Sequence, residues 1–309
     1  MRNFSVEIAA PPDDYERDMF AIIGILVVFG AIIGGFLMEK GPLMVLVQPA
    51  ELIIIGGAAL GTLLVANPLP LVIKMFKSVL GVLSGNRFTQ AFYLQSLKML
   101  YEIFQLARKS GMAKLEEEVE NPKKSQMFSK FPQIIKDHHI LYFICDSLRT
   151  AASGVVPAFD LDCMLENDIE VHHHEILAPV RSLSSVADAL PGLGIVAAVL
   201  GVTITMSALG GPPEEIGHKV AAALVGTFLG ILLCYGVVGP LAANLEKTTE
   251  AESQFYQVLR AGLMSFAKGM APMIAVEFAR RSIPHNVRPL FTEMEKACKA
   301  GGQAAAKAA

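Results

Sequence analysis

Tryptophan is absent from the 309 residues, and the four cysteines, Cys145, Cys163, Cys234 and Cys298, are scattered without CxxC or zinc-type spacing. The first absence removes the strongest aromatic anchor of a membrane interface. The second leaves no disulfide framework and points to reduced thiols. No HExxH, GxSxG, P-loop or dinucleotide fingerprint occurs, so a soluble-type enzyme finds no support and no cofactor is implied. A formal net charge of −3 argues against a nucleic-acid binder. The most informative absence is local: residues 189–209 and 220–244 contain no Asp, Glu, Lys or Arg.

Both runs exceed the roughly 20 apolar residues of helix that a bilayer core requires. Two more open the chain: residues 19–38 are uncharged, and 52–66 form a shorter run with flanks PAE and NP. Residues 1–18 carry more acid than base, the wrong charge for a signal peptide, so the first run is expected to stay as a span. Thirteen Lys and Arg fall in residues 67–187 and nine after Asn244, whereas the connections 39–51 and 210–219 hold only Lys40 and Lys219. That bias predicts a multi-pass protein with both termini and the large loop cytoplasmic. The expected order is an N-terminal extension at 1–18, spans one and two at 19–66, a cytoplasmic helical domain at 67–187, spans three and four at 188–244, and a cytoplasmic helix and tail at 245–309. The fold class is all-α, with spans three and four extending into the cytoplasmic domain.

Apolar residues at helical spacing predict helices at 89–109, 160–186 and 246–266, and an amphipathic interfacial helix at 70–83. Asn121-Pro122 and Phe131-Pro132 mark breaks. GxxxG spacings at Gly30/Gly34, Gly57/Gly61 and Gly226/Gly230 predict close helix approach, although small residues are common in spans generally. The run His172–His174 with Glu175 reads as a solvated helix face rather than a metal site, because no second ligand cluster accompanies it. His138-His139 reads the same way. Thr227, inside span four, either bonds back to its own helix or lines a water path. Pro191 and Pro240, read as lying at one depth in antiparallel spans, suggest a membrane machine that moves. No ionisable residue falls within any of the four runs, so a conducting chain needs its carrier from another subunit.

Several segments, in order, resemble the MotA family of flagellar stator subunits, within the MotA/TolQ/ExbB proton channels: QPAELIIIGGAALG at 48–61, ARKSGMAKLEEEVENP at 107–122, LPGLGIVAAVLGV at 190–202, VGTFLGILLCYGVVGPLA at 225–242 and MAPMIAVEFARR at 270–281. The resemblance covers residues 19–299; GGQAAAKAA at 301–309 looks like a low-complexity extension. It implies a homo-oligomer, a ring of five, around a MotB-type dimer whose membrane Asp carries the ion, in a bacterial inner membrane and in contact with lipid. It further implies an ion pathway and gate at Pro191, Ala198, Thr227, Tyr235 and Pro240, and a contact with the rotor protein FliG at Arg108, Lys109, Glu116 and Glu117. Sodium-driven relatives carry threonine at the position of Ala198; a methyl group there implies protons, with Thr203 and Thr205 as the reservation. An ExbB- or TolQ-like channel energising another envelope machine is the alternative, though those relatives have three spans.

Overall fold

Prolines, glycines and a few side-chain caps set where the helices begin and end. The computed structural model describes residues 14–82, 85, 87–207 and 210–307, and among them every regular element is helical. In order these are α1 (Asp14–Met38), α2 (Leu43–Leu46), α3 (Pro49–Ala66), α4 (Leu69–Val82), α5 (Gln90–Ser110), α6 (Met112–Glu120), α7 (Pro132–Ile135), α8 (His138–Ser153), α9 (Ala158–Met206), α10 (Pro213–Leu233), α11 (Gly239–Ala267), α12 (Pro272–Ser282) and α13 (Phe291–Lys307). A π-turn at Cys234–Val238 joins α10 to α11. The all-α class is as expected. So are four helices long and apolar enough to cross a membrane, Phe20–Met38, Leu43–Ala66, Ala158–Met206 and Pro213–Ala267. The first thirteen residues of the expected N-terminal extension, and Leu83 of the expected interfacial helix, lie outside the described residues. The low-complexity end is helical through Lys307, where alanines offset Gly301 and Gly302.

The chain divides into two compact units, Met1–Asn86 with Ile176–Thr248 and Arg87–Glu175 with Thr249–Ala309. In the first, α4 belongs with the spans. Its Val72, Met75 and Val82 are buried with Leu63 of α3, Val180 and Leu183 of α9, and Ala242 and Leu245 of α11. Asn67 ends α3 by donating from Nδ2 to the Leu63 carbonyl at 3.0 Å, and Pro68 prevents continuation. The Ser182 hydroxyl donates to Asn67 Oδ1 at 2.7 Å, tying that corner to α9. A second cluster joins Ile55 and Ala59 of α3 to Ala187, Leu190 and Ala197 of α9 and to Cys234.

The second unit is built on α5. Its cap Thr89 accepts from the Phe92 amide at 3.2 Å, and Leu97, Leu100, Ile103 and Phe104 are fully buried. Phe88, Phe92 and Tyr93 pack against Phe255 of α11, with ring centroids 5.1–5.7 Å apart, and Phe104 stacks on Phe266 at 4.4 Å. Burial pushes the Tyr93 hydroxyl up to about 12 and the Cys145 and Cys298 thiols up to about 12, so these cysteines stay protonated and inert. Asp137 caps α8, accepting from the His139 and Ile140 amides at 3.0 and 3.2 Å, and pairs with Arg87, whose other nitrogen reaches Glu252 at 3.4 Å. Burial raises the Asp137 carboxyl, but Arg87 and the two amides outweigh it and hold the group below its ordinary value.

That depressed value is a stability statement. The Asp137 contribution is complete above the ordinary carboxylate range and is lost as pH falls through the lower folded value. Asp137→Ala should destabilise this unit by about 1–2 kcal/mol. Asp137→Asn, which keeps a capping oxygen, should cost less. Thermal unfolding of the detergent-solubilised chain against pH checks both; equal losses for Ala and Asn would assign the effect to charge alone.

Candidate functional site

α9 and α10 meet through glycine. A Cβ on Gly194 would stand 2.9 Å from the Gly226 carbonyl oxygen and 3.0 Å from Gly230 Cα. One on Gly230 would stand 2.6 Å from the Leu190 carbonyl oxygen, and one on Gly201 would stand 2.9 Å from Ala223 Cα. Backbone therefore lies against backbone along two turns, the approach that small residues permit. Of the GxxxG pairs named from the sequence, Gly226/Gly230 serves this purpose. Gly30, Gly34, Gly57 and Gly61 face open space. The opposing glycines, Gly194 and Gly201, repeat at seven residues, a spacing that a search for GxxxG alone passes over.

This register places the predicted pathway residues. Ala198 N lies 3.3 Å from the Cβ position of Gly226, so Ala198 is level with Gly226, one residue before Thr227. Gly194 against Gly230 puts Pro191 level with Leu233, close to Tyr235. Pro240 lies seven residues further along, about 10 Å at 1.5 Å per residue. The expectation that the two prolines share a depth is thus corrected: antiparallel direction alone does not fix register, and the glycine contacts do. Pro191 is half-buried inside α9 with no break in the helix. Pro240 follows the π-turn in which the Gly239 amide donates to the Cys234 carbonyl. A proline ring crowds the carbonyl four residues back, and widening the turn relieves that clash. Gly239 is needed there, since its Cβ would sit 2.8 Å from the Cys234 oxygen. Tyr235, within the same turn, is 73% exposed.

The hydroxyls separate cleanly. Thr203 and Thr205 donate to the carbonyls of Val199 and Gly201 at 2.9 and 2.8 Å, so both are spent on their own helix. Half-buried Thr227 makes no hydrogen bond to another described residue, unlike the helix-bonded alternative considered from the sequence.

One functional candidate was missed. Glu51, assigned by sequence to a connection, is the third residue of α3 and falls inside the Leu43–Ala66 span. The expectation that no ionisable residue occupies a span is therefore wrong. Pro49 starts the helix before the apolar run begins, and this proline, the first residue of PAE, was the available signal. Glu51 is only 7% exposed, its Oε2 has no hydrogen-bond partner, and that atom lies 2.6 Å from the Cβ position of Gly226.

In the other unit, Arg108 and Lys109 end α5, and Glu116 and Glu117 lie on α6 across the Gly111 turn, whose φ of +86° favours glycine. All four are exposed. Glu117 pairs with Lys114 at 2.7 Å; Arg108, Lys109 and Glu116 form no ion pair with another described residue. The histidine run departs from a solvated face. His172 bonds Glu252 at 3.1 Å and His173 bonds Ser253 at 2.6 Å, while His174 stays exposed, because helical spacing turns the first two toward α11. Among the described residues no group of three or more His, Cys, Asp or Glu is placed to hold a metal.

Residues 22–111 match the family model described as motility protein A N-terminal, and residues 138–258 match the MotA/TolQ/ExbB proton channel family. Over 282 residues the chain is 40% identical to motility protein A of Escherichia coli and 39% to that of Salmonella typhimurium, in each case 91% of this chain and 96% of the relative. The flagellar MotAB stator complex from Bacillus subtilis superposes with a TM-score of 0.67 at 25% identity, covering 84% of this chain and 93% of that one.

The glycine seam makes a direct prediction. Gly230→Ala should cost about 1–3 kcal/mol or more, since the clash is with backbone that cannot rotate away, whereas Gly57→Ala meets nothing within 4 Å and should be tolerated. Yield and thermal stability of the membrane-extracted chain measure the difference, and equal behaviour would contradict the seam.

Proposed function

The chain belongs to the motility protein A family of MotA/TolQ/ExbB proton channels, and we propose that it is the A-type subunit of a flagellar stator. In this reading it assembles as a ring of five around a MotB-type dimer in the bacterial inner membrane, termini and large loop cytoplasmic. The assembly conducts protons and converts their flow into torque on the rotor protein FliG. The α9–α10 seam carries the reading: two helices in backbone contact, with Pro191 inside one, Pro240 just beyond the π-turn that follows the other, and Ala198 N beside Gly226. Such a pair has rigid contact at one level and compliant backbone nearby, as a gate needs. The likeness to the flagellar MotAB stator complex from Bacillus subtilis supports the partner.

Ala198 and Thr227 bear on the ion. A sodium ion sheds water only where several oxygens replace it, and the Ala198 methyl offers none. Thr203 and Thr205 have already directed their hydroxyl protons to their own helix, although their oxygens retain lone pairs. Expressed with its MotB-type partner in cells lacking a stator, the chain should restore swimming at a speed indifferent to external sodium and abolished by a protonophore. A speed that tracks sodium at fixed proton-motive force would contradict the assignment.

Torque is assigned to the exposed charges of α5 and α6. Exposed pairs are individually worth about 0–1 kcal/mol, so neutralising Arg108 or Glu116 should slow rotation partly, and reversing both should slow it severely with assembly intact. Added salt should weaken the contact as well. Wild-type swimming with both charges reversed would remove the rotor role from this face. The motility protein A matches over nine-tenths of the chain favour a stator over an ExbB- or TolQ-like channel.

A further inference from the structure

We propose that Glu51 is a proton-exchanging station of the span bundle, a carboxyl that takes up and releases the transported proton beside the α9–α10 seam. The inference rests on the channel reading above. It stands on the placement of Glu51, which is more than nine-tenths buried within a span and whose Oε2 lacks a partner. The atom occupies the space that a Cβ on residue 226 would fill. Gly226 thus leaves room for the carboxyl as well as for α9, whose Ala197 Cβ and Ala198 N lie 3.2 and 3.3 Å from that same position. A salt bridge does not explain the residue. On α10 the ionisable groups are Glu214, Glu215, His218 and Lys219, at least seven residues or about 10 Å from Gly226, and Lys219 is paired with Glu215. On α9 the nearest is Asp188, nine residues or about 13 Å from Ala197; α2 carries none.

A bare carboxylate is costly in such surroundings, whereas the neutral acid is not. A carboxyl with one uncommitted oxygen is therefore suited to hold a proton and pass it on. The step balances simply. The O–H bond of the neutral acid breaks toward a neighbouring water, leaving a transient carboxylate; a hydrated proton arriving along the bundle then forms a new O–H bond at Oε2, leaves its water behind and restores the acid.

The test uses the complex of this chain with its MotB-type partner in lipid vesicles, reading proton uptake under an imposed potential. Glu51→Gln keeps size and hydrogen-bonding capacity but cannot exchange a proton. It should assemble normally and lower the flux at least about tenfold. Glu51→Asp should retain a measurable part. In the unmodified complex, infrared spectroscopy should detect a carboxylic-acid carbonyl band that shifts in heavy water, moves in Glu51→Asp and is missing in Glu51→Gln. Flux at the unmodified level in an assembled Glu51→Gln complex would overturn the role of Glu51 alone. No flux in the unmodified complex would overturn the channel reading and this role with it. Should Glu51→Gln fail to assemble, an acid band that is identical in the unmodified and Glu51→Asp complexes would overturn the proposal.

Discussion

Backbone contact between α9 and α10 governs the membrane unit. With Gly194 on Gly230 and Gly201 on Ala223, the helices have nothing larger than the methyls of Ala197 and Ala223 at these contacts. In lipid, where apolar surface gains nothing from leaving water, such packing is the main source of helix association. It also fixes register. The residues of the proposed pathway take their level from that seam: Ala198 against Gly226, Pro191 near Leu233, and Pro240 about two turns beyond. On α10 and α11 the glycine contacts end at Gly230, before the π-turn at Cys234–Val238, whereas on α9 Pro191 lies beside the Leu190–Gly230 contact.

Polar groups in the membrane unit fall into two kinds. Some are settled locally: Thr203 and Thr205 bond the carbonyl one turn back, and Asn67 is shared between Leu63 and Ser182. Others are left uncommitted. Among the described residues neither the Thr227 hydroxyl nor the buried Glu51 Oε2 has a hydrogen-bond partner, and the Glu51 atom lies beside Gly226. Unsatisfied polar atoms are costly where water is scarce, so a buried carboxyl oxygen without a partner is the exception in this unit.

The other unit follows the ordinary logic of a water-soluble core. Aromatic rings from α5 and α11 fill its centre, and capped helices surround them. Arg87 gathers Asp137 and Glu252 at one edge, while Arg108, Lys109, Glu116 and Glu117 remain in solvent around the Gly111 turn. That division leaves the exposed charges free to meet another surface, since none of them supports the core.

Much of this was legible in the sequence because it depends on local rules. Uncharged runs longer than about 20 residues dictate spans, Thr89 and Gly111 bound α5, and Asn121-Pro122 ends α6. Family wording named Pro191, Ala198, Thr227, Tyr235 and Pro240 without their geometry. Tertiary structure alone decided what depends on register and on neighbours. The sequence placed Glu51 outside a span, since hydropathy sees where apolar residues begin and not where Pro49 starts the helix. It gave the prolines one depth, since antiparallel direction leaves axial offset undetermined. It called His172 and His173 solvated, since only packing shows which face of a polar helix meets α11. Spans are one-dimensional properties of a chain. The space beside Gly226 belongs to three helices at once, and no single stretch of sequence contains it.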